Sequence, residues 1–437
     1  MRDFFKTAVV TILRWEARMV LRKFKPKVVA ITGSVGKTST KDAIFVVLAK
    51  HTHVRKSQKS FNSEIGLPLT ILGLKNAWNS PAAWVVNIFD GLMLVLFGKH
   101  YPEWLVLEVG ADRPGDIRSL VSWLKVDVAV ITRLPETPVH VEFFDSPEAV
   151  IEEKAALIEC LRPGGTLILF ADDPRTRALE RHEPFPDAKV LLFGFSEECD
   201  VRGSDFTLVR AASVGRKKGL PVGMSAMVTV AGESAPVEVI GSIGAHAFLP
   251  GIAAAAVGHA LGMPLQHIVE GLAGYEPPAG RMRLIPGLKG SLIIDDTYNS
   301  SPAAVEAALD TLIAIKPKRA IAALGDMLEL GRHSAAAHRA AGAHAAKACD
   351  LLVTVGFRAR DIVQGALDAR MKDEKIFQYE NARKAGAELK NWAGEGDVIL
   401  VKGSQSMRME YIVEELMLEP EQAPKLLVRQ EREWKKR

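Results

Sequence analysis

The segment VVAITGSVGKTSTK at residues 28–41 constrains the fold of this chain more than any other stretch. It predicts a buried β-strand, then a tight loop containing Gly33 and Gly36, then a helix that opens on Lys37 and Thr38. Glycines let a backbone approach an anion closely, and the free N–H groups of a helix start point at that anion. The segment therefore predicts a phosphate-binding loop for ATP or GTP, with Lys37 beside the phosphates and the Thr38 hydroxyl on Mg²⁺.

The 437 residues, of which 48% are hydrophobic and 25% charged, suffice for two or three packed domains and show no sign of disorder. The three cysteines are scattered without CxxC spacing, which indicates neither a disulfide framework nor a structural zinc site and favours a reducing cytoplasm. We expect a cytoplasmic, monomeric enzyme without a nucleic-acid partner.

The net charge of +4 is unevenly distributed along the chain. Residues 1–27 carry eight Lys or Arg against two acids, residues 425–437 carry six against two, and the rest of the chain is mildly acidic. Basic ends indicate an anionic surface as a partner, and solvated termini are the alternative interpretation.

Residues 3–25 predict a basic amphipathic helix, although Glu16 and Lys23 interrupt its apolar face. The apolar arc consists of Phe5, Val9, Ile12, Leu13, Met19 and Val20. The basic arc consists of Arg14, Arg18, Arg22 and Lys25. Two hypotheses follow: the helix docks the enzyme on the inner membrane face or on a membrane-bound partner, or its apolar arc packs on the enzyme against residues 82–98. Asn87 and Asp90 interrupt that apolar segment, so we do not expect it to span a bilayer.

From residue 28 onward, short apolar runs alternate with helical segments, which predicts an α/β fold. We expect a central, P-loop-type doubly wound parallel sheet over residues 28–280, with an antiparallel annex between 205 and 242. A Pro- and Gly-rich linker at 275–287 leads into a Rossmann-like domain over residues 281–437, which ends in a basic tail. The functional residues should lie at the carboxyl ends of strands, in the cleft between these two domains.

The phosphate loop departs from the complete P-loop pattern at Ile31, which stands where that pattern has a glycine. In this form the loop resembles that of the Mur ligase family, and six further motifs follow in the same order. They are SFNSEIGLPLT at 60–70, LEVGADRPGDI at 107–117, HVEFF at 140–144, IIDDTYNSSPAAVEAAL at 293–309, LGDMLELG at 324–331 and VKGSQSMRME at 401–410. Within the family they are similar to the MurF subgroup, which adds D-alanyl-D-alanine.

The resemblance implies an ATP- and Mg²⁺-dependent amide ligase of peptidoglycan precursor synthesis. In such an enzyme ATP phosphorylates a substrate carboxylate, an incoming amine attacks the acyl phosphate, and ADP and phosphate are released. The partners would be a peptidoglycan precursor and the D-Ala-D-Ala dipeptide. The chemical difficulty is that the carboxylate and the triphosphate are both negatively charged and repel each other. Metal ions and lysines must offset this repulsion.

The resemblance also implies roles for individual residues. It places the nucleotide at Gly33, Ser34, Gly36, Lys37, Thr38, Ser39, Arg281, Asp296, Tyr298 and Asn299. It places metal ions at Thr38, Glu108, His140 and a carbamylated Lys154. It places the substrate at Asn62, Asp326, Glu329, Lys402, Ser404 and Arg408. Lys37, Glu108, His140 and Lys154 would form the catalytic group.

Some of these residues leave an alternative open. Lys154 can instead be an exposed helix lysine paired with a neighbouring glutamate, and Asn62 can satisfy its own turn. Asp295 and Asp296 follow a buried strand, where two carboxylates are costly unless they find donors, so a functional cleft is the better interpretation. His333, His338 and His344 lack the HExxH glutamate and are expected to be surface or packing residues.

The sequence departs from the family in three places. The asparagines of the adenine-side motif are lost in the segment His246–Pro250, and Arg133 stands where the family usually has Asn. The phosphate loop begins only about thirty residues from the start, so we expect the UDP-binding domain with which members of the family normally begin to be absent. Either another segment, such as 78–104, binds the carrier, or the acceptor differs. The alternatives are therefore a related ligase for a different carboxylate, such as a polyglutamate or amino-acid polymer, and an inactive nucleotide-binding membrane scaffold.

Overall fold

The computed structural model of the chain describes residues 2–58, 62, 64–78, 80–182, 187–211, 219–431 and 434. Within these residues the chain forms two β-sheets with helices packed on both faces of each.

The first sheet has nine strands, in the spatial order β2-β3-β1-β4-β5-β6-β7-β8-β9. Their bounds are β1 Lys27–Thr32, β2 Val54–Lys56, β3 Trp104–Glu108, β4 Val126–Ile131, β5 Leu161–Phe170, β6 Lys189–Gly194, β7 Val201–Arg210, β8 Pro221–Val230 and β9 Glu233–Ile240. The strands from β2 to β7 pair in parallel, and β7, β8 and β9 pair antiparallel as a continuation of the same sheet. This arrangement confirms the predicted doubly wound sheet with an antiparallel annex.

Among the described residues, nine α-helices accompany the first sheet. They are α1 Arg2–Phe24, α2 Lys37–Ala49, α3 Gly66–Leu72, α4 Pro81–Phe97, α5 Arg118–Val121, α6 Pro147–Ala155, α7 Pro174–Arg177, α8 Ala245–Ala260 and α9 Leu265–Leu272. Side chains alternate along each strand, so Val28 and Ala30 face one core while Val29 and Ile31 face another. The first core includes α1, and the second includes α2 and α8.

The N-terminal helix packs on the rest of the protein. This agrees with the hypothesis that its apolar arc contacts residues 82–98. Val9, Leu13 and Val20 are buried in the first core, where α1 contacts α3 and α4. Ile12, from the same predicted arc, is exposed, and the side chain of Phe5 lies outside the described part of the structure. The buried arc of α1 is therefore not free to enter a bilayer.

The second sheet has six strands, in the order β10-β11-β15-β12-β13-β14. Its strands and helices are β10 Arg283–Pro286, β11 Leu292–Asp296, β12 Arg319–Gly325, β13 Leu351–Val355, β14 Ile376–Tyr379, β15 Asp397–Lys402, α10 Pro302–Ile315, α11 Ser334–Ala348, α12 Arg360–Asp368, α13 Ala382–Trp392, α14 Glu410–Leu416 and α15 Ala423–Leu426. All pairs are parallel except β10 with β11, and this sheet confirms the predicted Rossmann-like unit.

Two local expectations were wrong. The segment 275–287, predicted as a linker, contains strand β10, which is an edge strand and therefore tolerates Pro286 at its end. Residues 147–161 have helical spacing in the sequence and predict one helix, but the helix ends at Ala155 and residues 156–160 continue as a tighter 3₁₀ turn. No helix in the described ranges combines the length and the apolar character needed to cross a membrane, as expected for 82–98.

Candidate functional site

The loop between β1 and α2 has the backbone geometry that the sequence predicts. Gly33 has φ +140°, and a Cβ built there would lie 2.0 Å from Oγ1 of Thr132, at the end of β4. Gly36 has φ +87° and precedes the first residue of α2, Lys37. The Lys37 ammonium donates to the carbonyl of Gly33 at 2.7 Å, so it folds back over the loop. The N-terminus of α2 thus presents free N–H groups where a phosphate can lie.

Glu108 lies beside this loop because β3 pairs with β1, which places Glu108 opposite Ile31. Its Oε1 accepts hydrogen bonds from Thr38 Oγ1 at 3.1 Å and from Asn62 Nδ2 at 3.4 Å. Its Oε2 is buried without a hydrogen-bond partner and lies 3.8 Å from the Lys41 ammonium. A buried carboxylate oxygen that lacks a donor, next to a threonine hydroxyl, is a donor set that suits Mg²⁺.

His140 begins the turn after the β4 loop and adopts a left-handed backbone, with φ +68°. Its Nδ1 lies 2.6 Å from Oε2 of Glu329, and its Nε2 lies 3.4 Å from Oδ1 of Asp112. The contact with His140 lowers the pKa of Glu329. Glu329 also has positive φ, at +64°, so both partners hold an uncommon backbone conformation at this contact. The described residues contain no cluster of three His, Cys, Asp or Glu side chains arranged to hold a metal ion by themselves.

Lys154 is buried, with 1% of its surface exposed, which excludes the interpretation as an exposed helix lysine. Its neighbour Glu153 is also buried and accepts from the backbone N–H groups of Gly115, Ile117 and Arg118 rather than pairing with Lys154. Burial, followed by repulsion from Lys37, lowers the pKa of Lys154 to about 7. A substantial fraction of neutral amine is therefore present near neutrality, and the neutral amine is the form that adds CO₂.

The paired carboxylates after β11 find the donors that their burial requires. Asp295 accepts from Gly280 N at 3.1 Å and from Thr297 Oγ1 at 2.6 Å, and burial raises its pKa to about 6. Asp296 accepts from Met282 N at 3.2 Å and from the Lys402 ammonium at 2.6 Å. The two carboxylates thus fix the backbone on both sides of Arg281.

Arg281 projects from this fixed segment toward the phosphate loop. Its guanidinium stacks over the Tyr298 ring at 4.0 Å, and its Nε is buried without a hydrogen-bond partner. A cavity of ≈ 300 Å³ lies between the two sheets, and its lining includes Ser34, Gly36, Lys37, Thr38, Asn62, Glu108, Asp112, His140, Arg281, Tyr298 and Asn299. The structure therefore brings most of the predicted nucleotide and metal residues to one cavity.

A smaller cavity of ≈ 90 Å³ continues from this one. It is lined by Ser39, Asp296, Lys402 and the altered adenine-side segment at His246 and Pro250, among others. The ring of Tyr275 also lines it, so apolar and aromatic surface stands where the sequence lacks the family's asparagines.

A third cavity, of ≈ 460 Å³, adjoins His140 on the side of the second sheet. Its lining includes Glu329, Ser404, Gln405, Arg408 and Trp434, together with Asp112 and Asn299. It presents the carboxylate of Glu329 and the guanidinium of Arg408, the two charges that a zwitterionic dipeptide requires. Arg408 also donates to Oε1 of Glu410 at 2.6 Å and to the carbonyl of Trp434 at 3.0 Å, and it still lines the cavity. Ser404 Oγ accepts from Leu328 N at 2.8 Å and so holds the loop that carries Glu329.

Three residues predicted for substrate lie outside this third cavity: Asn62 lines the first cavity, and Asp326 and Lys402 are buried elsewhere. Asp326 is buried, and its Oδ1 accepts from Ala359 N at 2.8 Å near the start of α12. Lys402 is buried against Asp296 and the carbonyl of Asn299, and burial lowers its pKa. Their contacts support neighbouring loops, because both side chains are already paired within the protein. His338 is a packing residue, as expected: it is buried, and its Nε2 accepts from Met327 N at 2.9 Å.

The sequence interpretation missed several residues at the site. Asp112 lies in a quoted motif but had no assigned role, and Lys41 looked like an ordinary residue of a helix. Arg429, interpreted as part of a basic tail, is buried and donates to the carbonyls of Thr297 at 2.6 Å and Tyr298 at 3.0 Å. The count of basic residues indicated a cation on the surface, but the Arg429 guanidinium is buried and hydrogen-bonded inside the protein.

Residues 31–246 match the model of the Mur ligase middle domain, and residues 280–405 match that of the Mur ligase glutamate ligase domain. The chain belongs to the Mur ligase family. Among curated relatives of this Mur ligase is the UDP-N-acetylmuramoyl-tripeptide--D-alanyl-D-alanine ligase of Bacillus subtilis, 29% identical over 94% of this chain and 80% of the relative. The enzyme of the same name from Escherichia coli is 28% identical over 92% of this chain and 79% of its own.

Solved structures agree with this assignment. MurF of Thermotoga maritima in complex with ADP superposes with a TM-score of 0.75 at 27% identity, covering 93% of this Mur ligase and 83% of that chain. MurF of Acinetobacter baumannii has a TM-score of 0.74 at 24% identity, covering 93% and 79%, and supports the fold.

Proposed function

We propose that this Mur ligase joins D-alanyl-D-alanine to the carboxylate of a muramoyl peptide, with ATP as the energy source and ADP and phosphate as products. The observation that carries the proposal is the cavity in which the phosphate loop of the first sheet faces Arg281 and Tyr298 of the second. The names of the curated relatives and the ADP complex of the T. maritima neighbour support the same reaction.

The nucleotide phosphates would lie on the N-terminus of α2, between Lys37 on one side and Arg281 on the other. The unpartnered Nε of Arg281 is a free donor that points to such a ligand. Ser34, Gly36 and Ser39 would contribute backbone and hydroxyl groups, and Tyr298 and Asn299 would contact the nucleotide from the second sheet. The lost asparagines leave adenine to pack on apolar surface near Pro250 and Tyr275.

Thr38 and Glu108 would hold Mg²⁺, since the buried Oε2 of Glu108 has no hydrogen-bond partner. His140 would hold a second ion. Bound there, Mg²⁺ would offset the negative charge shared by the triphosphate and the acceptor carboxylate. Asn62 holds Glu108 in place through its amide and lines the same cavity, so it can also contact the acceptor.

Lys154 would act in its carbamylated form. The ammonium first loses a proton, and the neutral amine then adds CO₂ to form a carbamate, with release of a second proton to solvent. This change turns the repulsion from Lys37 into an attraction, and the bound metal ions would offset the buried negative charge of the carbamate.

The third cavity would bind the incoming dipeptide. Glu329 can accept a hydrogen bond from its ammonium, and Arg408 can bind its carboxylate. The amine must lose a proton before it attacks the acyl phosphate, and the cavity adjoins the phosphate site through His140 and Asn299, which line both. Asp326 and Lys402 would serve this pocket indirectly, through the loops that they fix.

We further propose that the enzyme acts as a monomer in the cytoplasm, where ATP and reduced cysteines are found. Cys160, Cys199 and Cys349 are all free thiols, which accords with a reducing compartment.

The proposal is tested by the measurement of ATP consumption with candidate acceptors, with and without D-Ala-D-Ala. We expect turnover that requires both the dipeptide and a muramoyl peptide, with ADP and phosphate as products, and no turnover in Lys37→Ala. Turnover on a polyglutamate acceptor without the dipeptide would replace the proposed substrate. Release of AMP and pyrophosphate would overturn the mechanism, and absence of turnover with every acceptor would favour a scaffold.

A further inference from the structure

One side of the first sheet carries an unusual apolar surface. Among the described residues, thirteen large hydrophobic side chains are exposed, and eight of these lie on α1, on α4 or just before α4. The eight, which we term the α4 patch, are Ile12, Trp15, Trp78, Val85, Val86, Phe89, Leu96 and Phe97. The exposed fractions of Val85 and Phe97 reach 63% and 67%, so these side chains lie almost wholly outside the core.

The helix that carries most of this patch is held firmly by its opposite face. Trp84, Asn87 and Gly91 are buried, and the Asn87 amide donates to the carbonyl of Lys75 at 2.8 Å. Gly91 is required here, because a Cβ at this position would lie 2.2 Å from Oε2 of Glu16 on α1. The apolar residues of the α4 patch are therefore presented outward by a fixed helix.

Cations border the patch at the carboxyl end of α4. The Lys23 ammonium donates to the carbonyl of Val95 at 2.8 Å, which places it beside Leu96 and Phe97. Lys99, two residues beyond the end of α4, is exposed, and so is Arg22, which precedes Lys23 on α1. The nearby carboxylate of Glu16 is buried and does not offset this positive charge at the surface, whereas the exposed carboxylate of Asp90 on α4 offsets part of it.

We propose that the α4 patch is a docking surface for an anionic lipid bilayer, which the protein binds without spanning it. Apolar side chains with a rim of cations match the layered chemistry of acyl chains beneath anionic headgroups. Exposed tryptophans such as Trp15 and Trp78 favour the boundary between the two layers. A second copy of the chain is the competing occupant, and the experiment below distinguishes the two.

This inference is independent of the proposed ligase reaction and differs from the idea that α1 inserts by itself. The apolar arc of α1 is buried, so α1 contributes cations and a few side chains while α4 supplies the apolar contact. Removal of α1 would delete Leu13 and Val20 and expose the core residues against which they pack, so it would test folding rather than docking. Point variants of exposed residues are therefore required.

The decisive experiment is co-sedimentation of the full chain with vesicles of phosphatidylglycerol and phosphatidylcholine, and with phosphatidylcholine alone. We expect binding to the anionic vesicles that weakens at high salt. The double variant Phe89→Ser and Phe97→Ser should lower the partition coefficient at least about tenfold, because each Phe loses a substantial apolar contact. Its matched control, Phe357→Ser with Leu418→Ser, removes two exposed apolar side chains elsewhere and should bind as the parent does.

A second pair of variants tests how much the cations beside the α4 patch contribute to vesicle binding. Arg22→Gln with Lys99→Gln should weaken binding to anionic vesicles about tenfold or more, whereas Lys318→Gln with Lys372→Gln should have no effect. Equal sedimentation of the parent and the Phe89/Phe97 variant would overturn the proposal. It would also be overturned by a concentration-dependent dimer, seen by analytical ultracentrifugation without lipid, that the Phe89/Phe97 variant abolishes.

Discussion

Nδ1 of His140 lies 2.6 Å from Oε2 of Glu329, and this contact joins the loop after β4 to the loop after β12. A backbone hydrogen bond from Glu142 N to the carbonyl of Glu329, at 3.3 Å, supports it. The two sheets therefore meet directly beside the cavity that we assign to the dipeptide. This contact gives Glu329 two potential partners, the imidazole and the substrate ammonium.

Glu329→Gln is expected to raise the KM for D-Ala-D-Ala by about tenfold or more, with little change in the KM for ATP, since a charge-assisted hydrogen bond to the ammonium becomes a neutral one. Steady-state kinetics with each substrate varied in turn measure both constants. If the Mg²⁺ requirement rises while the dipeptide KM stays constant, Glu329 acts on His140 alone. Glu142→Gln, an exposed neighbour, is the control.

Glu108→Gln is expected to abolish ligation while the protein without ligands melts at the same or a higher temperature. The reason is that the substitution removes a buried carboxylate whose Oε2 has no hydrogen-bond partner. The parent should show a rise in Tm with Mg²⁺ and ADP together that exceeds the rise with ADP alone, and the variant should lose this difference. A variant that keeps the Mg²⁺-dependent rise would show that the ion is held elsewhere.

Lys154 is expected to form a carbamate. With ¹³C-labelled bicarbonate, the parent should give a carbamate carbon signal that Lys154→Arg lacks, because the guanidinium does not present a neutral amine. Lys154→Ala should lose ligation and recover part of it when a small carboxylic acid fills the vacated space. Full activity of Lys154→Ala, without added acid, would remove this residue from the metal site.

Glu16 is expected to make stability depend on pH. Burial raises the pKa of this carboxyl from 4.5 to about 7. The folded state therefore retains a proton that the unfolded state has lost between these values, so the free energy of unfolding falls as pH rises through this window and levels off above it.

Glu16→Gln should remove this pH-dependent component and melt above the parent at pH of about 8, by several degrees, with a smaller difference at pH of about 5. Thermal melts across this range measure the effect. Asp90→Asn, which changes an exposed carboxylate on α4, is the control and should follow the parent. A parent-to-variant difference that is the same at both pH values would contradict the prediction.

The sequence was most informative where function depends on backbone shape and on strand ends. The glycines of residues 33–36, Glu108 after a buried strand and the paired aspartates after β11 all lie where local pattern predicts them. Such features follow from short-range chemistry, since a parallel sheet brings the carboxyl ends of its strands to one edge. The two-sheet α/β architecture followed from the same alternation of apolar runs and helices.

The sequence was least informative where contacts join distant parts of the chain. No spacing rule brings His140 to Glu329, Asp326 to Ala359, or Arg429 to the carbonyls after β11. The amphipathic pattern of residues 3–25 was also ambiguous, because a membrane and a protein core present the same apolar surface to a helix. In each case a partner distant in sequence decides the role of the residue.

Arg281 depends on the second sheet for its position, since Asp295 and Asp296 fix the backbone around it, whereas Lys37 belongs to the first sheet. A rotation of one sheet away from the other would therefore move Arg281 away from Lys37, so that the two cations no longer face the same phosphate site. A nucleotide bound to Lys37 and the phosphate loop of the first sheet alone would keep its terminal phosphoryl group until the cleft between the two sheets closed. With the nucleotide bound as proposed, the attachment of Arg281 to the second sheet would protect ATP from hydrolysis in the absence of an acceptor.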